Sequence, residues 1–350
     1  MLNLLPPLPL FWNDTTPRRC SRGGRRAQSI GRRRGHVANA GGHVIIDSVP
    51  GLVPSSFSAL VQGREPEPYL GGDAWLARLP GLVNESLADW DLTLDGDPMH
   101  GVCALVVPVR RRDSSTAVLK VTWPHLEARH EHLALQHWAG VGAVRLLAAN
   151  PSRWAMLLER LNSDLDLQAV PIDEACTAIG ALLRQLDHEP LPQLALLSEQ
   201  AAGIAGKLDA APAAFPRRFA EQARSLLSEL ATDSAIDSRM VNTDLHYQNV
   251  LAAERQPWLA IDPKPLAGDP AFAVTPALWN RWPEAVAGGD LRQHLLRRLS
   301  IICENAGLDG ERARAWSIVR EVQQGLWAIE DDDADGLTKA MAIIKAIQPG

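Results

Sequence analysis

The sequence predicts an α+β fold of two lobes, in which a small antiparallel sheet with one main helix precedes a larger, mostly helical lobe. Two observations carry this prediction. Short β-rich runs separated by polar turns occupy residues 92–161, with one helical segment among them. From residue 173 onward the apolar periodicity is helical almost throughout, with prolines between the segments. A chain of 350 residues is long enough for both lobes to have a hydrophobic core.

The first forty residues differ in composition from the rest of the chain. They carry eight arginines and one acidic residue, Asp14, whereas the whole chain has a net charge of −6. The apolar run over residues 4–10 is interrupted by prolines and follows no basic residue, so it is a poor signal peptide. We expect residues 1–43 to be a disordered basic extension or an incorrectly assigned start, with the folded chain beginning near Val44. The alternative is an arginine-rich arm that binds nucleic acid or a membrane surface.

The composition of the remaining chain excludes several classes of protein. No stretch approaches the roughly 20 apolar residues of a membrane-spanning helix. The four cysteines form no Cys-x-x-Cys pair, which favours reduced thiols in a cytoplasmic protein. The acidic body suits a cationic small molecule and argues against nucleic acid or a membrane as the main partner. The sequence predicts no oligomeric state.

The predicted N-terminal lobe covers residues 44–161 and is built on antiparallel strands. Each strand is a short apolar run, and the turns between strands contain glycine or charged residues. The predicted elements are a helix over residues 73–90, strands over 92–94, 102–109 and 116–121, a helix over 124–138, and strands over 142–147 and 155–161. This order gives a sheet of about five strands.

The predicted C-terminal lobe covers residues 162–350. Its helices are expected over residues 174–188, 196–209, 215–232, 289–306, 310–329 and 336–347. An acidic loop, residues 330–335, joins the last two helices and is interpreted either as a solvated loop or as an attractor for ammonium or guanidinium groups. Asp269 is expected to cap the helix that follows it.

A segment between the third and fourth of these helices carries a chemical signature. Asp244 is followed by Asn249 five residues later and by Asp262 thirteen residues after that. Residues 249–251 and 258–261 are predicted to form a β-hairpin that ends beside Asp262. Phosphoryl transfer from ATP uses one carboxylate to accept the hydroxyl proton, and an amide and a second carboxylate to hold Mg²⁺. This spacing matches the catalytic loop and the metal-binding aspartate of kinases, and the alternative is a polar hairpin with ordinary turn residues.

Three residues of the N-terminal lobe are candidates for the nucleotide site. Lys120 ends the run Ala-Val-Leu-Lys, which is similar to the kinase strand whose lysine binds the α- and β-phosphates; a solvent-facing lysine on an edge strand is the alternative. A helix glutamate should pair with this lysine, and we choose Glu131, with Glu127 as the second choice. Gly101 lies in the turn between the first two strands, where glycine would let the backbone approach phosphates.

In combination and order, several segments resemble the aminoglycoside/hydroxyurea phosphotransferase family. The resemblance runs from about Val49 to the C-terminus. It rests on residues 98–101, 118–121, 142–147, 157–161, 244–251 and 258–263. It implies a protein-kinase-like bilobal fold and ATP- and Mg²⁺-dependent phosphorylation of a small-molecule hydroxyl, an aminoglycoside such as streptomycin being one candidate. It also implies that Asp244 is the catalytic base and that Asn249 and Asp262 are Mg²⁺ ligands.

The chain departs from this family's pattern immediately before Asp244. Many relatives have His-Gly there, whereas this chain has Asn242 and Thr243. A left-handed backbone conformation is energetically unfavourable for threonine, so a loop that needs glycine at this position would be distorted. A nucleotide-binding pseudokinase therefore stays open as an alternative. A kinase of an unidentified small metabolite is another, because the motif does not specify the acceptor.

Overall fold

A six-stranded antiparallel sheet follows two helices in the computed structural model, which describes residues 51–66 and 69–349. The predicted basic extension, residues 1–43, lies outside the described residues. The helices are α1 (Ser55–Val61), α2 (Gly72–Asp89) and, after the fourth strand, α3 (Glu131–Trp138). The strands are β1 (Thr93–Leu94), β2 (Met99–His100), β3 (Ala104–Arg110), β4 (Thr116–Thr122), β5 (Leu146–Asn150) and β6 (Ala155–Glu159).

One face of the sheet packs against α1 and α2, and residues of the other face are also largely buried, so the central strands are nearly continuously apolar in sequence. Its order is β1-β3-β4-β6-β5, with β2 paired to the other edge of β3. Leu119 faces the core formed with α1 and α2. Because side chains alternate along a strand, Lys120 faces the opposite side, the side on which α3 lies, and its register partner on β6 is Met156.

Three predicted elements of this lobe differ from the structure. The helix predicted over residues 124–138 begins only at Glu131, after a 3-10 turn at Leu126–Ala128. The strand predicted over residues 142–147 begins at Leu146, because residues 142–144 pair with Ala260 instead of with the large sheet. The sheet has six strands instead of about five, because Met99–His100, predicted as part of a turn, pairs with β3.

The rest of the described chain is mostly helical, with two small sheets at its junction with the N-terminal sheet. Helix periodicity located the long helices to within a few residues, as it usually does for amphipathic segments. The helices are α4 (Ile172–Gln185), α5 (Leu197–Asp209), α6 (Arg217–Leu230), α7 (Pro276–Trp279), α8 (Trp282–Ala287), α9 (Leu291–Ala306), α10 (Gly310–Glu330) and α11 (Ala334–Ile347). The strands are β7 (Asn162–Asp166), β8 (Arg239–Asn242), β9 (Val250–Ala252), β10 (Trp258–Ala260) and β11 (Pro265–Gly268).

The predicted hairpin is present as β9 and β10, which pair antiparallel, and β7 adds to the other edge of β9. Strand β8 pairs antiparallel with β11, and Asn242 is opposite Pro265. This second pair places the segment that starts at Asn242 beside the segment that ends at Lys264. We keep the predicted ranges 44–161 and 162–350 as a proposal for the two lobes.

Helix α10 is the central helix of the C-terminal half and is buried over most of its length. Asp269 accepts a hydrogen bond from the backbone N–H of Ala271 (2.9 Å), which confirms the predicted cap, and also contacts Arg312 and Trp316. Within residues 51–66 and 69–349, no helix is both long enough and apolar enough to cross a membrane.

Candidate active site

A cleft of about 420 Å³ lies between the N-terminal sheet and the two small sheets. This volume falls within the range of small-molecule sites, roughly 300–1,000 Å³. Five of the six predicted site residues line the cleft: Gly101, Lys120, Asp244, Asn249 and Asp262. The sixth, Glu131, lies behind Lys120 and contacts it.

Lys120 joins the helix α3 to the segment that follows β10. Its Nζ atom lies 2.6 Å from Oε1 of Glu131 and 2.6 Å from Oδ1 of Asp262. Burial opposes the charge of Lys120, but the carboxylates of Asp262 and Glu131 outweigh it and raise the pKa of the ammonium group. Glu131 is almost fully buried, and burial raises its pKa against the attraction of Lys120. The structure therefore pairs the strand lysine with Glu131, whereas Glu127 pairs with Lys264.

Asp262 presents its carboxylate to the cleft from an unusual backbone conformation. Its φ is +50°, a left-handed value that aspartate tolerates better than most residues. Although burial disfavours the charged form, attraction to Lys120 and Lys264 lowers the pKa of Asp262 to about 2. The backbone N–H of Ile261 donates to the carbonyl of Asn249 (2.9 Å), so the positions of Asn249 and Asp262 are coupled through the hairpin.

Asp244 is held in place by two asparagines. The Oδ1 atom of Asn242 accepts hydrogen bonds from the backbone N–H of Asp244 (3.1 Å) and from that of Lys264 (3.2 Å). The Nδ2 atom of Asn249 donates to the carbonyl oxygen of Asp244 (3.1 Å). Since this bond uses the amide nitrogen of Asn249, its amide oxygen is the atom left to bind a cation.

Thr243 fits the loop without strain, because its φ lies outside the left-handed region. Its backbone N–H and its Oγ1 both donate to the carbonyl oxygen of Lys264, each at 3.0 Å. The carbonyl oxygen of Thr243 accepts from Arg320 (3.1 Å), which is buried and also donates to Phe272. Asn242 and Thr243 therefore fit this loop with hydrogen-bonded side chains and without a left-handed backbone.

Lys264 is a cleft residue that was not among the predicted site residues. Its Nζ atom lies 3.1 Å from Oδ2 of Asp244 and 3.0 Å from Oε2 of Glu127. Burial opposes its charge, but Asp244 and Glu127 raise the pKa of the ammonium group. The only signal in the sequence was a lysine two residues after Asp262, which is too common to single out.

Gly101 lines the cleft in the short loop between β2 and β3. Its backbone N–H donates to the carbonyl of Ala104 (2.9 Å), which closes this loop. A Cβ atom added at Gly101 would meet no atom within 4 Å, so packing does not require glycine here. Its predicted place over phosphates stays a prediction.

Arg255, in the turn between β9 and β10, joins this hairpin to the last strand of the large sheet. Its guanidinium contacts Glu159 at 2.5 Å and donates to the carbonyl oxygens of Gly140 and Ala143. Glu159 also accepts from the backbone N–H of Arg145 (2.7 Å). This network fixes the end of β6, where the chain passes from one side of the cleft to the other.

Two side chains of the cleft are candidates to bind a metal ion. The described residues contain no group of three or more His, Cys, Asp and Glu side chains placed to hold a metal. One amide oxygen and one carboxylate, from Asn249 and Asp262, fit Mg²⁺, which is commonly bound by one or two protein oxygens together with substrate phosphates.

Comparison with known proteins gives the family. The model of the aminoglycoside/hydroxyurea antibiotic resistance kinase family matches residues 89–332. The chain belongs to this family. It is 42% identical over 287 residues to streptomycin 6-kinase of Streptomyces glaucescens, covering 79% of this chain and 92% of that protein. It is 39% identical over 284 residues to hydroxyurea phosphotransferase of Kitasatospora aureofaciens, covering 79% and 81%. The predicted family and the prediction of a phosphotransferase are thus confirmed.

Solved structures confirm the predicted fold class. A thermostable mutant of aminoglycoside phosphotransferase APH(4)-Ia, in a ternary complex with ADP and hygromycin B, matches with a TM-score of 0.50 at 16% identity, covering 76% of this chain and 98% of that chain. Choline kinase LicA from Streptococcus pneumoniae matches with a TM-score of 0.51 at 12% identity, covering 77% and 99%. At these identities the likeness shows the protein-kinase-like α+β fold alone.

Proposed function

We propose that this member of the family transfers the γ-phosphate of ATP to a hydroxyl of an aminoglycoside, with streptomycin as the first acceptor to test. The observation that carries the proposal is that Lys120, Asp262, Asp244 and Asn249 line one cleft. Lys120 contacts both Asp262 and the buried Glu131 there. The names of the relatives supply the acceptor class. The acidic chain suits a polycationic acceptor.

In this proposal Asp244 is the general base. Its carboxylate accepts the proton of the acceptor hydroxyl as the hydroxyl oxygen forms a bond to the γ-phosphorus, and the bond from that phosphorus to the β–γ bridging oxygen breaks, which leaves ADP. Asn242 and Asn249 fix the backbone on both sides of this carboxylate. Most of the acceleration then comes from positioning and preorganised charge.

Lys120 is proposed to bind the α- and β-phosphates, with Glu131 holding its ammonium group in position. The buried contact of 2.6 Å between them supports this role. Asn249 and Asp262 would hold Mg²⁺, which when bound neutralises the charge on the phosphates. Gly101 would lie over the phosphates in the β2–β3 loop.

The acidic loop at residues 330–335 does not form the acceptor site in this proposal, because two of its acids have structural partners. Glu330 pairs with Lys207 (3.1 Å), and Asp333 accepts from the backbone N–H of Gly336 (2.9 Å) at the start of α11. These contacts favour the solvated-loop interpretation. Charged acceptor groups would instead bind close to Asp244.

The test is Mg²⁺-dependent ADP release by the full chain with streptomycin, other aminoglycosides, hydroxyurea and sugar or cyclitol metabolites. Asp244→Asn should abolish turnover and retain ATP binding, because asparagine has nearly the same shape and does not accept the proton. Asp209→Asn is the matched control, since Asp209 lies on the surface and pairs with Arg224. Turnover on a metabolite alone would favour the metabolite kinase. ATP binding without turnover on any acceptor would favour the pseudokinase and overturn the proposal.

A further inference from the structure

We propose that Lys264 is a second phosphate-binding cation of this active site and that it contacts the transferred γ-phosphoryl group beside Asp244. The inference rests on the proposed function and adds a catalytic residue to it. Lys120 and Lys264 then divide the triphosphate between them, Lys120 at the α- and β-phosphates and Lys264 at the γ-phosphate.

The position of Lys264 relative to the γ-phosphate can be inferred from that of Asp244. A general base must reach the acceptor hydroxyl, and that hydroxyl must lie in line with the γ-phosphorus. Asp244 therefore marks the end of the cleft at which the γ-phosphate is transferred. The Nζ atom of Lys264 is 3.1 Å from Oδ2 of Asp244, and both residues line the cleft. An ammonium group at this place is within reach of the γ-phosphate oxygens.

Three hydrogen bonds fix the backbone of Lys264. Its carbonyl oxygen accepts two hydrogen bonds from Thr243, and its N–H donates to Asn242. The residue after it, Pro265, begins β11 opposite Asn242. The same strand pair therefore positions Asp244 and Lys264 relative to each other, which is the preorganisation that charge stabilisation in a transition state requires.

The second partner of Lys264, Glu127, raises the alternative that Lys264 has a purely structural role. Glu127 contacts its Nζ atom at 3.0 Å from the N-terminal side of the cleft, so Lys264 could serve only as an ion pair between the two sides. A structural ion pair predicts that loss of Lys264 lowers stability and weakens all nucleotides alike. A γ-phosphate contact predicts that triphosphates weaken and diphosphates do not.

The experiment compares Lys264→Met, Lys120→Met and Lys207→Met in the full chain. Lys207 is the matched control, because it is a partly buried, ion-paired lysine on α5 outside the cleft. Binding of ADP and of a non-hydrolysable ATP analogue is measured by titration calorimetry with Mg²⁺, and turnover is measured on the best acceptor. Lys264→Met should weaken the triphosphate analogue about tenfold and leave ADP binding unchanged. Its kcat should fall about 10²–10³-fold, as for loss of one preorganised donor.

Lys120→Met should weaken both nucleotides, and Lys207→Met neither. Equal weakening of ADP and of the triphosphate analogue by Lys264→Met, or an unchanged kcat, would overturn the inference. If Lys264→Met does not fold, the double variant Lys264→Met/Glu127→Gln neutralises one of the two carboxylates that lose their partner and keeps Asp244, so it gives the same two readouts. If the wild-type protein turns over no acceptor, the proposed function fails, while the difference between the two nucleotides still tests Lys264.

Discussion

The side-chain oxygen of Asn242 accepts a hydrogen bond from the backbone N–H of Asp244 at 3.1 Å. The same oxygen accepts from the backbone N–H of Lys264, so one buried amide joins the two segments that line this end of the cleft. Asn242 stands at the position where the family resemblance predicts histidine. It anchors the loop by hydrogen bonding, for which an imidazole is not required.

Asn242→Ala should therefore lower both stability and turnover. Two backbone N–H groups lose their acceptor, which should cost about 1–3 kcal/mol of unfolding free energy. A displaced Asp244 should lower kcat by up to about 100-fold. Urea unfolding and steady-state kinetics measure the two effects. Asn280→Ala is the control, because it also removes a side-chain-to-backbone hydrogen bond but lies outside the cleft. Wild-type turnover in Asn242→Ala would show that the loop does not depend on this amide.

Thr243→Gly introduces the glycine that the family resemblance predicts and should not improve the enzyme. Since Thr243 does not need a left-handed φ, glycine gains nothing there and loses the Oγ1 bond to Lys264. The added freedom of the unfolded backbone should cost about 0.5–1 kcal/mol. Thr243→Ser, which keeps the hydroxyl, should lie between the two in thermal unfolding. A higher kcat in Thr243→Gly would mean that the threonine does strain the loop.

Glu131→Gln should raise the KM for ATP about tenfold, because Lys120 loses one of its two charged partners and is held less firmly on the phosphates. Glutamine keeps the size of the side chain, so the change reports on charge. Glu304→Gln, at an exposed position of α9, is the matched control and should behave as wild type. An unchanged KM for ATP in Glu131→Gln would argue that Asp262 alone positions Lys120.

Glu321, in the middle of α10, should make stability depend on pH. The residue is fully buried, and neither carboxyl oxygen has a hydrogen-bond partner in the described part of the chain. Burial raises the pKa of Glu321 to about 8, against the attraction of Lys339 and Arg320. An unfolded glutamate releases its proton near pH 4.3. Between about pH 4.3 and pH 8 the folded state binds the extra proton, so stability falls as pH rises, by up to about 1.4 kcal/mol per pH unit.

Glu321→Gln should remove this slope. Urea unfolding at pH 5, 6.5 and 8 should show the variant gaining on the wild type as pH rises, because glutamine is neutral throughout. Glu311→Gln, at an exposed position of the same helix, should keep the wild-type slope. Parallel curves for Glu321→Gln and the wild type would show that Glu321 ionises normally in the folded protein.

The sequence predicted correctly those features that depend on residues close together in the chain. Asp244, Asn249 and Asp262 lie in one loop and one hairpin, so their spacing alone predicts that they converge. Lys120 was predicted as a site residue because a single cation in an apolar strand is conspicuous. The long helices followed from apolar periodicity over ten or more residues.

The pairing of strands that are far apart in the sequence could not be predicted. Lys264 reaches Asp244 only because β8 pairs with β11, which neither segment predicts by itself. Strand β7 has mostly exposed residues and no apolar alternation, so the pattern that marks a half-buried strand is missing. Strand β2 has two residues, too few for any periodicity.

The two cleft lysines each contact a carboxylate from the opposite side: Lys120 contacts Asp262, and Lys264 contacts Glu127. On the proposed roles, a nucleotide phosphate that binds either lysine would therefore compete with a carboxylate of the protein. Nucleotide binding becomes an ion exchange, and its free energy is the difference between two sets of ionic contacts. In these roles, Asp262 would exchange its contact with Lys120 for one with Mg²⁺ when a phosphate takes its place on the lysine. On the proposed roles, the cation and the nucleotide thus enter as one coupled event.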